Sequence, residues 1–207
     1  ADMGCITEAH HYVKSIATGE QPFLFTSCCP AWVELTRRQF PDLAPEISQE
    51  LTPMVATARH IKEHDPEARV VFIGPCAAKK LEASRTYIRS YVDFVITFEE
   101  LVGMFDALDI NLEELEESPI EFTATGAGRG YAVAGGVASA IEKCINAYYP
   151  GTEVKIQHAD GLAQCQKMLT LCQAGLLHVY MIQAMVCHCG CVRGGGTTLP
   201  GVRHPVP

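Results

Sequence analysis

The sequence predicts an α/β fold in which short, mostly parallel strands are flanked by helices and form two lobes around a buried site. Two short apolar runs, at residues 23–25 and 69–73, each end at a loop that contains cysteine. Longer segments with apolar residues at helical spacing separate these runs. Ligands in α/β folds bind beyond the carboxyl ends of the strands, so these loops are the expected site.

The first part of the chain predicts a helix, a strand and a second helix. Residues 3–18 place apolar residues three or four positions apart, which is typical of a helix with one buried face, and Gly19 ends it. Residues 23–25 predict a buried parallel strand. Pro30 suits the first turn of a helix that continues through Arg38.

The middle of the chain repeats this order. A helix is predicted over residues 52–64, followed by the β-branched and apolar residues 69–73 as a second strand. Residues 92–97 predict a third strand, and residues 98–107 predict a helix. The acidic segment 112–117 predicts a solvated turn or helix end.

The last part predicts a long helix over residues 131–148 with Gly135 and Gly136 inside it. Because a helical glycine costs about 1 kcal/mol relative to alanine, the pair predicts close packing of another backbone. A fourth strand is expected at residues 154–156 and a helix over 161–174.

Six of the ten cysteines lie in three short segments, at residues 26–32, 75–79 and 185–191. An isolated cysteine is usually a small buried residue. The third segment, however, is followed by three glycines at 194–196, which add no packing and favour close approach of the backbone. A cubane iron–sulfur cluster needs four converging thiolates. A structural zinc ion is the alternative, although zinc sites usually use closely spaced cysteine pairs.

Each cysteine segment carries further residues at fixed positions. They are, in chain order, Thr26-Ser27-Cys28-Cys29-Pro30-x-Trp32, Pro75-Cys76-x-x-Lys79-x-x-Glu82 and Met185-x-Cys187-x-x-x-Cys191-x-x-Gly194-Gly195-Gly196. These segments resemble the three signatures of the catalytic domain of [FeFe]-hydrogenases. Similarity continues through residues 94–97, 125–128 and 135–137, so the resemblance covers nearly the whole chain.

The resemblance implies one catalytic domain over residues 1–207, whose two lobes clasp a buried iron–sulfur site. Cys29, Cys76, Cys187 and Cys191 would bind a [4Fe–4S] cluster, for which soft thiolates are suitable ligands. Cys191 would also bridge to a di-iron subcluster that carries CO, cyanide and a dithiolate amine. The family normally has a further stretch before this chain begins, so an N-terminal part is expected to be missing.

Neighbours of these ligands have implied roles as well. Lys79 would donate a hydrogen bond to a cyanide ligand, although a surface charge is the alternative, and Pro75 and Met185 would line the pocket. Cys28 would stay unligated and pass protons to the amine, because a thiol can both donate and accept a proton. Gly74 stands where the family usually has methionine, which predicts a looser pocket wall.

The onward proton path departs from the family pattern. Glu8 matches a glutamate of that path, but His11 stands in place of the next glutamate and Ser15 in place of the terminal arginine. A histidine can carry protons near neutral pH, although an exposed helix residue is an equal alternative. Gln183 replaces a glutamate near the cluster.

The remaining cysteines are expected to be structural. His188 and Cys189 add two potential ligands inside the third segment, with a packed spectator thiol as the alternative for the cysteine. Buried positions on helix faces are expected for the other four cysteines, which are Cys5, Cys144, Cys165 and Cys172.

The implied activity is reversible proton reduction and dihydrogen oxidation, with a ferredoxin-like or other redox partner and maturation proteins that supply the di-iron unit. The alternative within this family is a hydrogen sensor built on the same domain. The other class is the hydrogenase-like iron–sulfur assembly proteins, which perform no hydrogen chemistry and in which the position of Cys28 is typically not cysteine.

Composition excludes several other classes of function. The net charge of −8 argues against nucleic acid as a partner. No apolar run is long enough for membrane insertion, and no signal-peptide pattern is present. A reducing cytoplasm is the expected compartment.

Overall fold

The computed structural model describes residues 1–19, 21–119 and 123–198. Short 3-10 turns lie at Pro41–Glu46, Leu112–Glu114 and Cys191–Arg193. The helices and strands within these ranges are, in chain order, α1 (Asp2–Thr18), β1 (Leu24–Phe25), α2 (Pro30–Gln39), α3 (Pro53–His64), β2 (Val71–Ile73), α4 (Ala78–Ala83), β3 (Phe94–Ile96), α5 (Phe98–Ala107), α6 (Gly126–Arg129), α7 (Gly136–Tyr148), β4 (Ile156–Asp160), α8 (Leu162–Gln173) and β5 (Met181–Met185).

The strands form two small parallel sheets, one in each lobe. The first has the order β1-β5-β4, and the second pairs β2 with β3. In the first sheet Asp160 of β4 is level with Met185 of β5, so the strands end together. The predicted α/β fold with short parallel strands and flanking helices is confirmed.

Helices cover both faces of the first sheet. Because side chains alternate along a strand, neighbouring strand residues point into different clusters. Leu24 and Met181 point into one apolar cluster with α1 and α7. Phe25 and Ile182 point into the other, with α2 and α8. The second lobe has its own cluster, centred on α3 and on Ile88. The first lobe therefore has two apolar clusters, one on each face of its sheet, and the second lobe has one.

The predicted helix over residues 131–148 is wrong at its start. Helix α7 begins at Gly136, and Gly135 before it has a left-handed backbone with φ of 75°. A side chain at 136 would meet the Gly130 carbonyl oxygen at 2.0 Å. The glycine pair therefore permits a sharp entry into the helix, and the close backbone approach occurs at that turn.

Two further differences concern strands. The fourth strand spans Ile156–Asp160 instead of residues 154–156. Strand β5 was not predicted, because all five of its residues are buried and it lacks the alternation that marks a half-buried strand.

The acidic segment 112–117 is exposed, as expected. None of the helices described is long and apolar enough to span a membrane.

Candidate metal centre

Three loops bring the predicted cysteine ligands together. Cys29 follows β1 and is the residue that precedes α2. Cys76 lies between β2 and α4 in the second lobe, and Cys187 and Cys191 lie in the loop after β5. Because parallel strands end at the same edge of a sheet, β1 and β5 deliver their loops side by side.

The glycine triplet connects the lobes at this place. The Gly196 N–H donates to the Pro75 carbonyl oxygen at 2.9 Å, and the Gly196 carbonyl accepts from the Glu99 N–H at 3.2 Å. A side chain at Gly194 would lie 2.3 Å from the same Pro75 oxygen. Glycine is therefore needed for the third cysteine loop to pack against the loop of Cys76.

The four thiols repel one another as anions. Burial, followed by the charges of the other cysteines, raises the pKa of Cys187 to about 11 and the pKa of Cys191 to about 12. Burial likewise raises the pKa of Cys29. A bound metal removes this penalty, because metal ligation and thiol deprotonation are coupled.

Backbone donors already face two of the sulfur atoms. The N–H groups of Val186 and Trp32 donate to Cys29, and the N–H of Gly195 donates to Cys187. Hydrogen bonds to ligand sulfur are a means by which proteins tune iron–sulfur clusters. The donor set thus fits a cluster with several anionic sulfur ligands.

The spacing of the four thiols argues against one zinc ion. Among the described residues, no three of these sulfur atoms lie within 4.8 Å of one another. A tetrahedral zinc ion with bonds of about 2.3 Å holds its sulfur ligands roughly 3.8 Å apart. The arrangement suits a larger body.

Cys28 lies beside this set and has a different environment. It shares a side-chain hydrogen bond with Tyr131, and burial raises its pKa. Burial also raises the pKa of Tyr131, with smaller effects from the charges of Cys28, Cys5 and Glu8. Tyr131 is not marked by any motif in the sequence, because it reaches the site from a turn far along the chain.

Lys79 is buried and is not a surface charge. Its Nζ donates to Glu82 Oε2 at 2.6 Å and to the Cys28 carbonyl oxygen at 3.3 Å. Glu82 Oε1 in turn accepts from the Thr52 hydroxyl at 2.7 Å. This network fixes the lysine directly beside the cysteine pair.

Replacement of Glu82 by alanine is expected to lower the free energy of unfolding by about 3–5 kcal/mol, because it leaves the buried Lys79 without its counter-ion. Urea unfolding measures this change. The matched control is Glu63→Ala, which removes the exposed partner of Arg59 and should change stability little. Equal effects of the two substitutions would contradict a buried ion pair.

Pro75 and Met185 lie next to the cysteine loops, as their places in the motifs require. Met185 is buried at the end of β5, and Pro75 is half-buried. A side chain at Gly74 would lie 2.9 Å from the Phe72 ring. That aromatic ring therefore occupies space near Gly74.

Glu8 and His11 are connected through a serine that sequence analysis missed. The Ser48 hydroxyl donates to Glu8 Oε2 at 2.9 Å and lies 3.2 Å from His11 Nδ1. Burial raises the pKa of Glu8 to about 8. His11 is partly exposed, and its Nδ1 lies 3.9 Å from Glu50 Oε1. The Ser15 hydroxyl donates to Gln21 Oε1 and is not part of this network.

Gln183 is fully buried, and neither atom of its amide has a hydrogen-bond partner among the described residues. It alternates with Ile182 and Ala184, so it shares a face of β5 with Met185. The cluster on that face also contacts Cys28 and Cys191. The unpaired Gln183 amide therefore fits a bound polar group located between these residues.

The other cysteines are mostly structural. Three are buried in helices, which are Cys5, Cys165 and Cys172, and Cys144 is half-buried beside Cys5. Their predicted core positions are confirmed for the three buried residues. Cys189 and His188, in contrast, lie at the rim with Asp160.

Comparison with known proteins places this architecture in one family. Residues 1–195 match the model of the "Iron only hydrogenase large subunit, C-terminal domain". Among curated proteins, the chain is 26% identical to iron hydrogenase 1 of Clostridium pasteurianum over 237 residues, which cover 95% of this chain and 41% of that protein. It is 37% identical over 90 residues to the cytosolic Fe-S cluster assembly factor NAR1 of Kluyveromyces lactis, covering 44% of this chain and 19% of that protein.

Solved structures share the fold. A variant of the [FeFe]-hydrogenase HydA1 from Chlamydomonas reinhardtii superposes with a TM-score of 0.76 at 24% identity, over 97% of this chain and 70% of the other. This chain spans 36–58% of the length of the first three curated relatives it matches. The family match over nearly the whole chain, together with this fold, shows that the chain belongs to the family formed by the C-terminal domain of the iron-only hydrogenase large subunit.

Proposed function

We propose that this chain catalyses reversible proton reduction and dihydrogen oxidation. Cys29, Cys76, Cys187 and Cys191 would hold a [4Fe–4S] cluster, and Cys191 would also help to hold a di-iron subcluster. The observation that carries the proposal is the fifth thiol, Cys28. It is not needed as a ligand, yet it hydrogen-bonds Tyr131 beside the cluster loops.

When bound, a di-iron unit with CO, cyanide and a dithiolate amine would supply the organometallic chemistry of proton reduction. The protein supplies position and polarity. Lys79 uses two of its three N–H donors on Glu82 and on the Cys28 carbonyl. The third donor has no partner among the described residues and suits an anionic ligand such as cyanide. Pro75 and Met185 form part of the pocket wall.

Proton delivery uses side chains from α1 and from the segments on either side of α2. Cys28 Sγ would hold the last proton on the path to the cofactor, and the charge of the buried Glu8 acts on this thiol and raises its pKa. Glu8 has a pKa of about 8, so it exchanges protons readily near neutral pH. Ser48 bridges Glu8 to His11, which reaches solvent. The path therefore runs from His11 through Ser48 and Glu8 toward Cys28.

Replacement of His11 by alanine is expected to lower hydrogen turnover roughly 10-fold or more without loss of the cofactor, because it removes the outer acid–base group of the path. Hydrogen evolution across pH 6 to 8 measures this. The matched control is His10→Ala, since the neighbouring histidine is exposed and bonds Tyr149 instead. Unchanged rates in the His11 variant would redirect the path to Cys5 or to ordered water.

The second candidate function is iron–sulfur assembly without hydrogen turnover, which the similarity to the NAR1 protein favours. Cys28 favours the hydrogenase, because an assembly protein has no use for a proton carrier beside the cluster. The discriminating experiment supplies the cubane-loaded chain with the di-iron unit and measures hydrogen evolution with a chemical reductant. Evolution supports the hydrogenase; full di-iron content with no turnover favours a sensor, and failure to take up the unit favours assembly.

The proposed activity implies further components. Electrons would come from a ferredoxin-like or other redox partner, and maturation proteins would supply the di-iron unit. Residues 1–207 would act as one catalytic unit. The compartment we propose is the cytoplasm, in keeping with the cytosolic NAR1 relative.

A further inference from the structure

A second group of potential metal ligands lies outside the four-cysteine set. Asp160, His188 and Cys189 each offer one ligand atom, and these atoms all lie within 4.8 Å of one another. In the part of the chain that the structure describes, this is the only such group of three or more. None of the three is used by the proposed iron–sulfur cluster or by the proton path.

The fold brings these ligands together from two neighbouring strands. Asp160 is the last residue of β4 and is level with Met185, after which the third cysteine loop begins. Its Oδ1 accepts from the Cys189 N–H at 2.7 Å, and its Oδ2 lies 3.2 Å from His188 Nδ1. Cys189 adopts a left-handed backbone with φ of 63°, which is uncommon for a residue with a side chain.

The group is open to solvent on one side. The His188 side chain is 60% exposed and the Asp160 side chain is 19% exposed. An ion can therefore reach the ligands from water, and a fourth coordination position would stay free. A carboxylate and a thiolate together supply two negative charges, which balance a divalent ion.

We propose that Asp160, His188 and Cys189 bind a divalent transition-metal ion of the zinc class at the rim of the cluster loop. Thiolate, imidazole and carboxylate are the ligands that zinc prefers, and three protein ligands with an open fourth position are a common arrangement. Calcium and magnesium prefer oxygen ligands and are disfavoured. Binding releases the thiol proton to solvent and replaces the contact between Asp160 and His188 with bonds to the ion.

The ion would tie the third cysteine loop to the end of β4. His188 and Cys189 lie between Cys187 and Cys191, so a fixed position for them restrains two of the four proposed cluster ligands. This role explains why potential ligands, and not inert residues, occupy the middle of the loop.

Cobalt(II) serves as the probe, because it occupies zinc sites and its visible absorption reports thiolate ligation. Residues 1–207 carry Cys29→Ser and Cys76→Ser, which removes two of the four proposed cluster thiols, and Cys187→Ala tests a third. We expect one equivalent of cobalt with a thiolate charge-transfer band. Adding Cys189→Ala should abolish the band, and adding His188→Ala or Asp160→Asn should weaken binding at least 10-fold.

Controls separate ligation from folding. Cys144→Ala, which removes a half-buried cysteine elsewhere, should leave binding unchanged. Asp160→Asn keeps an oxygen acceptor for the Cys189 N–H, and His188 is exposed, so these variants should fold as judged by circular dichroism. Cobalt binding that survives all three substitutions, or that is lost instead on Cys187→Ala with Cys189 intact, would overturn the proposal.

Discussion

Replacement of Cys28 by alanine is expected to lower hydrogen turnover by at least roughly 100-fold, the loss typical of removing a positioned acid–base group. Cubane content should persist, because the four proposed ligands remain. The physical reason is that Cys28 is the thiol that hydrogen-bonds Tyr131 beside the cluster loops. Hydrogen evolution and iron content, measured on the same preparation, test both parts of this expectation.

Two comparisons sharpen the Cys28 experiment. Cys172→Ala removes another buried thiol, on α8, and should leave turnover unchanged. Cys28→Asp places a carboxyl of similar reach at the site and should restore part of the activity. A Cys28→Ala variant that lost its cubane would make Cys28 a ligand and favour assembly or a differently connected cluster. Full turnover in that variant would require another route for the proton.

Replacement of Cys76 by alanine is expected to abolish stable cubane assembly. Cys76 is the one proposed ligand from the second lobe, so the other three thiols cannot enclose the cluster. Reconstitution of the unaltered chain with iron and sulfide should give about four irons per chain and a cubane spectrum. The variant should give neither.

Cys172→Ala again serves as the matched control, because it removes a cysteine without touching the three loops. Undiminished assembly in the Cys76 variant would mean that the remaining thiols suffice, and the ligand assignment would be wrong.

Sequence alone predicted much of the fold, because the signals involved are local. Apolar spacing and a following glycine identified α1, and Pro30 identified the start of α2. Strand β5 was missed because burial on both faces removes the alternating pattern. Gly135 was placed inside a helix because its positive φ is decided by a turn that propensity does not reveal.

The same distinction applies to the site. The cysteines and Lys79 carry motifs and could be identified one by one. Ser48 and Tyr131 could not, because each is a common residue that gains its role only when distant segments meet. Ser48 lies 40 positions from the Glu8 it contacts. Likewise, His11 could be proposed as a relay from its helical register, but its link to Glu8 depends on a loop of the tertiary structure.

Infrared spectroscopy of the chain after maturation tests the central claim most directly. The account predicts absorption bands of metal-bound CO and cyanide, because these ligands belong to the di-iron subcluster and to no cubane. The spectrum should be recorded on a preparation whose cubane content is already established. Full cubane content without CO or cyanide bands, after exposure to a competent source of the di-iron unit, would contradict the hydrogenase assignment.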